Sequence, residues 1–126
     1  MYGSLPKMEK SFDFVVVGDT TGYKYEGQFT VRCLLTVAQR HAMELERTRL
    51  MSDYKNPSPD LASLSGALAE CRNRIIDSPS WWKDKGGTDI LDDEIIFLLY
   101  NKCIEAEDQW KSDLKTKAQE AVSKNV

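Results

Sequence analysis

The sequence crowds four carboxylates, Asp89, Asp92, Asp93 and Glu94, into six positions, and carboxylates are the ligands that calcium and magnesium prefer. Their spacing is wrong for a calcium loop, because Asp84-Lys85-Gly86-Gly87-Thr88-Asp89 does not supply the ligand order of that motif. Acids at the first turn of a helix have a simpler role, as caps facing the positive end of its dipole. His41 is the only histidine, which excludes a histidine zinc cluster by count and leaves no base set beside a nucleophile. Gly86-Gly87 lacks both the Lys-Ser/Thr sequel of a phosphate loop and GxGxxG spacing, and reads as a flexible turn. Cys33, Cys71 and Cys103 lie far apart, form no CxxC pair and fit small core positions. The expectation is a protein with no cofactor, no metal and no enzymatic activity.

What remains is apolar chemistry. Trp81 and Trp82 stand side by side in Ser78-Pro79-Ser80-Trp81-Trp82-Lys83-Asp84-Lys85-Gly86-Gly87. Adjacent side chains on a regular element cannot both face one way, so a turn must give the two rings different surroundings. One role is internal, plugging the gap between neighbouring elements; the other is contact with a partner. The candidate partner-binding residues are Trp81, Trp82 and Lys83, with Tyr25, Phe29 and Trp110 from the flanking elements.

A length of 126 residues with 41% hydrophobic and 29% charged residues fits one globular domain. The net charge of -3, with Lys and Arg mixed among acids, gives no basic field and disfavours nucleic acid as a partner. No apolar run approaches the roughly 18 to 20 residues that span a bilayer, and residues 1 to 10 lack the apolar centre of a secretion signal. A cytosolic protein with no membrane partner is expected.

These side chains need elements to position them. Phe12, Phe14 and Val16 alternate on one face of a first strand; Tyr23, Tyr25, Phe29, Val31 and Cys33 do so on a second. Gly18-Asp19-Thr20-Thr21-Gly22 joins them as a β-hairpin, and Gly27 is read as a bulge. Thr36 and Gln39 form a capping box for a first helix reaching about Ser52, with Ala38, His41, Ala42, Leu45 and Thr48 through Met51 on its apolar side. After Asn56-Pro57-Ser58-Pro59-Asp60, Leu61, Leu64, Leu68, Cys71 and Ile75 mark a second helix lasting to about Asp77. Ser78-Pro79 ends it or starts a short turn of helix. A third long helix runs from about Asp92 to near Val122, apolar through Trp110 and polar beyond. The expected fold is therefore α+β and mainly α, an N-terminal β-hairpin packed on a three-helix core with a long C-terminal helix. Residues 1–10 are expected as a loose arm, 11–110 as one globular domain and 111–126 as a polar helical tail.

In order along the chain, Tyr25-Glu26-Gly27-Gln28-Phe29-Thr30-Val31, the Leu35-Thr36 helix start, Ala69-Glu70, Arg74 through Asp84 and Asp89-Ile90-Leu91-Asp92 resemble the tail assembly chaperones of tailed bacteriophages. The resemblance spans about residues 23 to 110. It implies a non-enzymatic helper in the host cytoplasm that binds the tape measure protein and recruits tail tube subunits, and whose gene often also yields a longer frameshifted form. The alternatives are a structural subunit of the phage particle, capsid-bound or at the neck, and a small inhibitor of host defence. The first would place the chain in the virion. A homo-oligomer is compatible with each.

Overall fold

In a computed structural model of the protein, the described residues are 7–52, 55 and 58–124. The elements follow in the order β1 (Glu9–Val17), β2 (Lys24–Arg32), α1 (Val37–Leu50), α2 (Pro59–Arg74), β3 (Ile75–Asp77), α3 (Ser80–Lys83) and α4 (Asp93–Lys124). The fold is α+β and mainly α, with an antiparallel sheet of order β1-β2-β3 and a long C-terminal helix.

Period-two alternation builds the sheet. Phe12 pairs with Phe29, Phe14 with Gly27 and Val16 with Tyr25, so the large side chains of both strands share the inward face. Phe12 stacks on Phe29 at 5.7 Å and Phe14 meets it edge-on at 5.8 Å. The strand starts earlier than the sequence indicated. Met8 O accepts a bond from Cys33 N at 2.6 Å, and Glu9 and Lys10 already pair with β2, so the end of the expected arm is sheet. Its residues 1–6 lie outside the described residues.

Two further expectations are corrected. The apolar spacing of α2 continues through Ile75, yet the helix stops at Arg74 and Ile75 turns extended (φ -73°, ψ 118°). Ile75-Ile76-Asp77 then pairs with β2 as a third strand, because β-branched residues beside an open strand edge gain ladder bonds that another helical turn cannot offer. Gly27 is no bulge, since the β1–β2 register runs unbroken through it. Its φ of 153° and its missing side chain serve a close approach: an added Cβ would lie 2.7 Å from the ring of Pro79.

The helices stack away from β1. α4 packs on β2, α2 on α4 and β3, and α1 on α2. The capping box at Thr36 and Gln39 forms as expected, with bonds of 3.2 and 2.9 Å. The facing of α1 differs from its apparent pattern. Ala38, His41, Ala42, Leu45 and Thr48 face solvent, with Leu45 73% exposed, and the Met43–Glu46–Arg47–Leu50 side turns inward. On that side Leu50 packs against the main core, and Glu46 meets Arg72 of α2 at 2.5 Å and Arg49 at 2.6 Å. Ser58 caps α2 through Leu61 N at 3.2 Å, with Pro59 in its first turn.

Phe14, Tyr25, Phe29, Leu68, Cys71, Trp82, Ile95 and Leu99 form the main core. Val31, Cys33, Cys103, Ala106 and Trp110 form a second cluster at the other end of the sheet. There Arg74 is buried, donating to Cys33 O at 3.0 Å and pairing with Glu107 at 2.7 Å and Glu70 at 3.0 Å. Burial alone would lower the affinity of its guanidinium for the proton, but the two carboxylates outweigh that and raise it.

α4 is 32 residues long, about 48 Å at 1.5 Å per residue. Between Lys111 and Glu120 only Leu114 is partly buried, so the helix outruns its core as its composition implies. Truncation after Leu114 should shift the melting temperature by no more than about 3 °C, under about 1 kcal/mol. Calorimetry checks this, and a fall of more than about 10 °C would contradict a solvated tail.

Candidate functional site

The hairpin turn is fastened to the start of α4 by carboxylates. Asp92 Oδ1 accepts from the backbone N–H groups of Thr20 at 2.8 Å and Thr21 at 3.1 Å. Its Oδ2 accepts from the Thr21 hydroxyl at 2.6 Å and the Tyr25 hydroxyl at 2.7 Å. Glu94 accepts from Asp19 N at 2.7 Å. The acids read as helix caps thus include two, Asp92 and Glu94, whose carboxylates serve the hairpin turn. Gly18 makes room for it, since an added Cβ would lie 2.3 Å from Asp92 Oδ2.

The donated bonds, the Thr21 hydroxyl foremost, hold the Asp92 carboxyl at about 2, well below its ordinary 3.8, against the opposing effect of burial. Tyr25 moves the other way. Burial first, and then its bond to the Asp92 carboxylate, raise its phenol.

Beside this clamp the two tryptophans part. Pro79 precedes α3, which is one short turn, and although both rings meet Phe29 edge-on, at 5.5 and 6.4 Å, they differ in burial. Trp82 is 4% exposed, and Gly87 lies against its ring: an added Cβ there would come within 2.5 Å. Gly86 and Gly87 have φ of 57° and 84°, so the supposed flexible turn is a packed one in the left-handed region. Trp81 is half-buried, donates from Nε1 to Glu26 O at 3.0 Å and meets Tyr25 edge-on at 5.1 Å. It borders a surface depression of about 270 Å³ with Thr21, Tyr23, Tyr25, Asp89, Ile90 and Leu91.

That depression is the most evident apolar contact site. Tyr23 is 53% exposed and Leu91 75%, with the exposed acids Asp19 and Asp89 close by in the chain. Of the residues singled out from sequence, Trp81 lines it and Tyr25 forms part of its floor. Trp82, Phe29 and Trp110 are buried in the core, and Lys83 stands apart, exposed and paired with Asp77 at 3.1 Å. Tyr23, Ile90 and Leu91 were missed. Tyr23 alternates with the inward residues, and only its place at the strand end, beyond the cover of any helix, exposes it. Leu91 carried a signal: a large apolar residue among acids, outside any period.

Elsewhere the chemistry is closed. Cys33, Cys71 and Cys103 are buried free thiols. A hydrogen bond with Cys103 and then burial push Cys71 well above its ordinary value, and burial raises Cys33. Among the described residues no group of three or more His, Cys, Asp or Glu side chains is placed to hold a metal ion, and no helix is long and apolar enough to cross a membrane. A groove of about 500 Å³ between α1, α2 and α4 is lined by Met43, Arg47, Glu70, Phe97 and Tyr100, and contains none of the candidate residues. Comparison of the chain with protein-family models, with curated proteins and with solved structures finds no match.

Two outcomes test this geometry. Trp82→Ala should cost about 3 to 5 kcal/mol in denaturant unfolding and Trp81→Ala about 1 to 2 kcal/mol, because only the first empties a closed site. Equal losses would refute the division of roles. The depressed carboxyl of Asp92 contributes stability that is present above pH 4 and lost as pH falls through about 2. The stability gap between the natural protein and Asp92→Asn should therefore be full at pH 6 and shrink between about pH 4 and 2; a gap independent of pH would show that the charge is immaterial.

Proposed function

We propose that the protein is a non-catalytic tail assembly chaperone of a tailed bacteriophage, acting in the host cytoplasm on tape measure and tail tube proteins. The observation that carries the reading is the depression at Trp81, where Tyr23, Ile90 and Leu91 leave apolar surface open beside acids. An assembly chaperone must cover a client's apolar surface before the client finds its place, and an aromatic anchor on a rigid shelf suits that task. Trp81 is such an anchor, held by its indole bond to Glu26 O. The motif resemblance supplies the phage setting, and the burial of all three thiols fits a binding role.

A second reading has its own observation. β1 is an edge strand, which suits a structural subunit of the particle that adds to a neighbour's sheet. The two differ in fate, since a structural subunit is stoichiometric in purified virions and a chaperone is absent.

Co-expression with the tape measure and tail tube proteins encoded nearby should give a soluble complex. Trp81→Ala and Leu91→Asp should each weaken it at least about tenfold while circular dichroism stays unchanged. If neither client binds, the chaperone reading falls; if both variants bind normally, the contact lies elsewhere.

A further inference from the structure

β1 leaves a complete strand edge without a partner among the described residues. Cys33 N donates to Met8 O and Gly18 N to Tyr23 O, and the register pairs position 10 with 31, 12 with 29, 14 with 27 and 16 with 25. In an antiparallel ladder bonded pairs recur at every second residue, so the even-numbered residues of β1 spend their N–H and C=O groups on β2. Glu9, Ser11, Asp13, Val15 and Val17 direct theirs to the open edge.

That edge is defended only in its first half, by Glu9, Lys10 and Asp13. It is nine residues long, has no proline, and its C-terminal half, Phe14-Val15-Val16-Val17, is a β-branched and aromatic run without charge. Val15 and Val17 are exposed on the outer face, and Phe12 and Val16 are only half-covered on the inner face. The helical layer packs chiefly on β2 and β3, and Phe14 is the one β1 side chain that is fully buried.

We infer that β1 pairs antiparallel with β1 of a second copy of this chain, about a two-fold axis at Phe14, making one six-stranded sheet from two three-stranded ones. The side chains and the length of overlap together choose that register, since an axis at Val15 would pair only residues 13–17 of each strand. On the inner face it sets Phe12 beside Val16 of the second copy and Phe14 beside Phe14 of the second copy, extending the apolar layer across the axis. On the outer face Asp13 stands opposite Val15 of the second copy, and Ser11 opposite Val17 of the second copy. An axis at Asp13 would set two carboxylates directly opposite, and an axis at Phe12 would set Lys10 against Phe14 of the second copy on the apolar side. A strand from an unrelated protein would meet the same backbone groups, but the self-complementary alternation favours a second copy.

Sedimentation equilibrium of the purified full chain should show a monomer–dimer equilibrium. Val15→Asp puts carboxylates opposite Asp13 in two symmetry-related pairs and should weaken it about tenfold. Adding Asp13→Lys to that variant should restore it, because the two substituted positions face each other across the axis. Val15→Pro removes only an edge-facing N–H and should give a folded monomer. A monomer at every concentration reached would overturn the inference. A dimer indifferent to Val15→Asp would assign it to another surface, and a failure of Asp13→Lys to rescue would refute the register.

Discussion

The buried carboxylate of Asp92 is the constraint from which the rest of the arrangement follows. A carboxylate removed from water is costly unless its lone pairs are filled, and here the donors come from Thr20, Thr21 and Tyr25, some 67 to 72 residues earlier in the chain. The hairpin turn and the start of α4 therefore cannot be placed independently. Glu94 adds the last free N–H of the turn, from Asp19. The surface depression is a product of this fastening, since its walls are Thr21 and Tyr23 from the turn and Asp89, Ile90 and Leu91 from the approach to α4.

Arg74 performs a related task at the opposite end of β2. Its guanidinium joins the end of α2 to the carbonyl of Cys33 and to Glu107, about four turns along the chain of α4 from Asp92. Two buried charged groups thus bracket the apolar layer of Phe29, Cys71, Ile95, Leu99 and Cys103. Ionic contacts of this kind add little net stability, because desolvation offsets attraction, but each is expensive to leave unmatched. They fix how far α4 slides along the sheet, which apolar packing alone would leave loosely specified. Gly18, Gly27 and Gly87 make the same arrangement sterically possible, each leaving room for a side chain from a distant element.

The legible parts of the chain were those where a single short-range rule acts alone. Alternation in Phe12–Val17 and Tyr25–Val31 gave the hairpin and its buried face, Thr36 and Gln39 gave a capped start, and the Ile95–Trp110 spacing gave the long helix and the point where its core runs out. Illegible parts were those where two rules compete. Ile75 fits a helical period and a strand equally, and the open edge of β2 decided for the strand. In α1 two stripes compete, and the one that turns inward carries Met43 and Leu50 beside Glu46 and Arg47, so that Leu50 reaches the core and Glu46 reaches Arg72. Of the candidate contact residues, hydrophobicity found Trp81 but could not separate it from Trp82, since one residue of offset on a short turn decides which ring closes the core and which borders the surface.

By itself, the sequence determined the class of the fold, the hairpin, the long helix and the absence of recognisable catalytic motifs, because these rest on composition and on periods of two and 3.6 residues that neighbours in the chain enforce. Only the tertiary structure decided which tryptophan borders the surface, which aspartate is a clamp, and that Leu91 and Tyr23 share a surface. Those outcomes depend on groups far apart in sequence satisfying one another in space, and no local pattern records which distant donor will fill a buried acceptor.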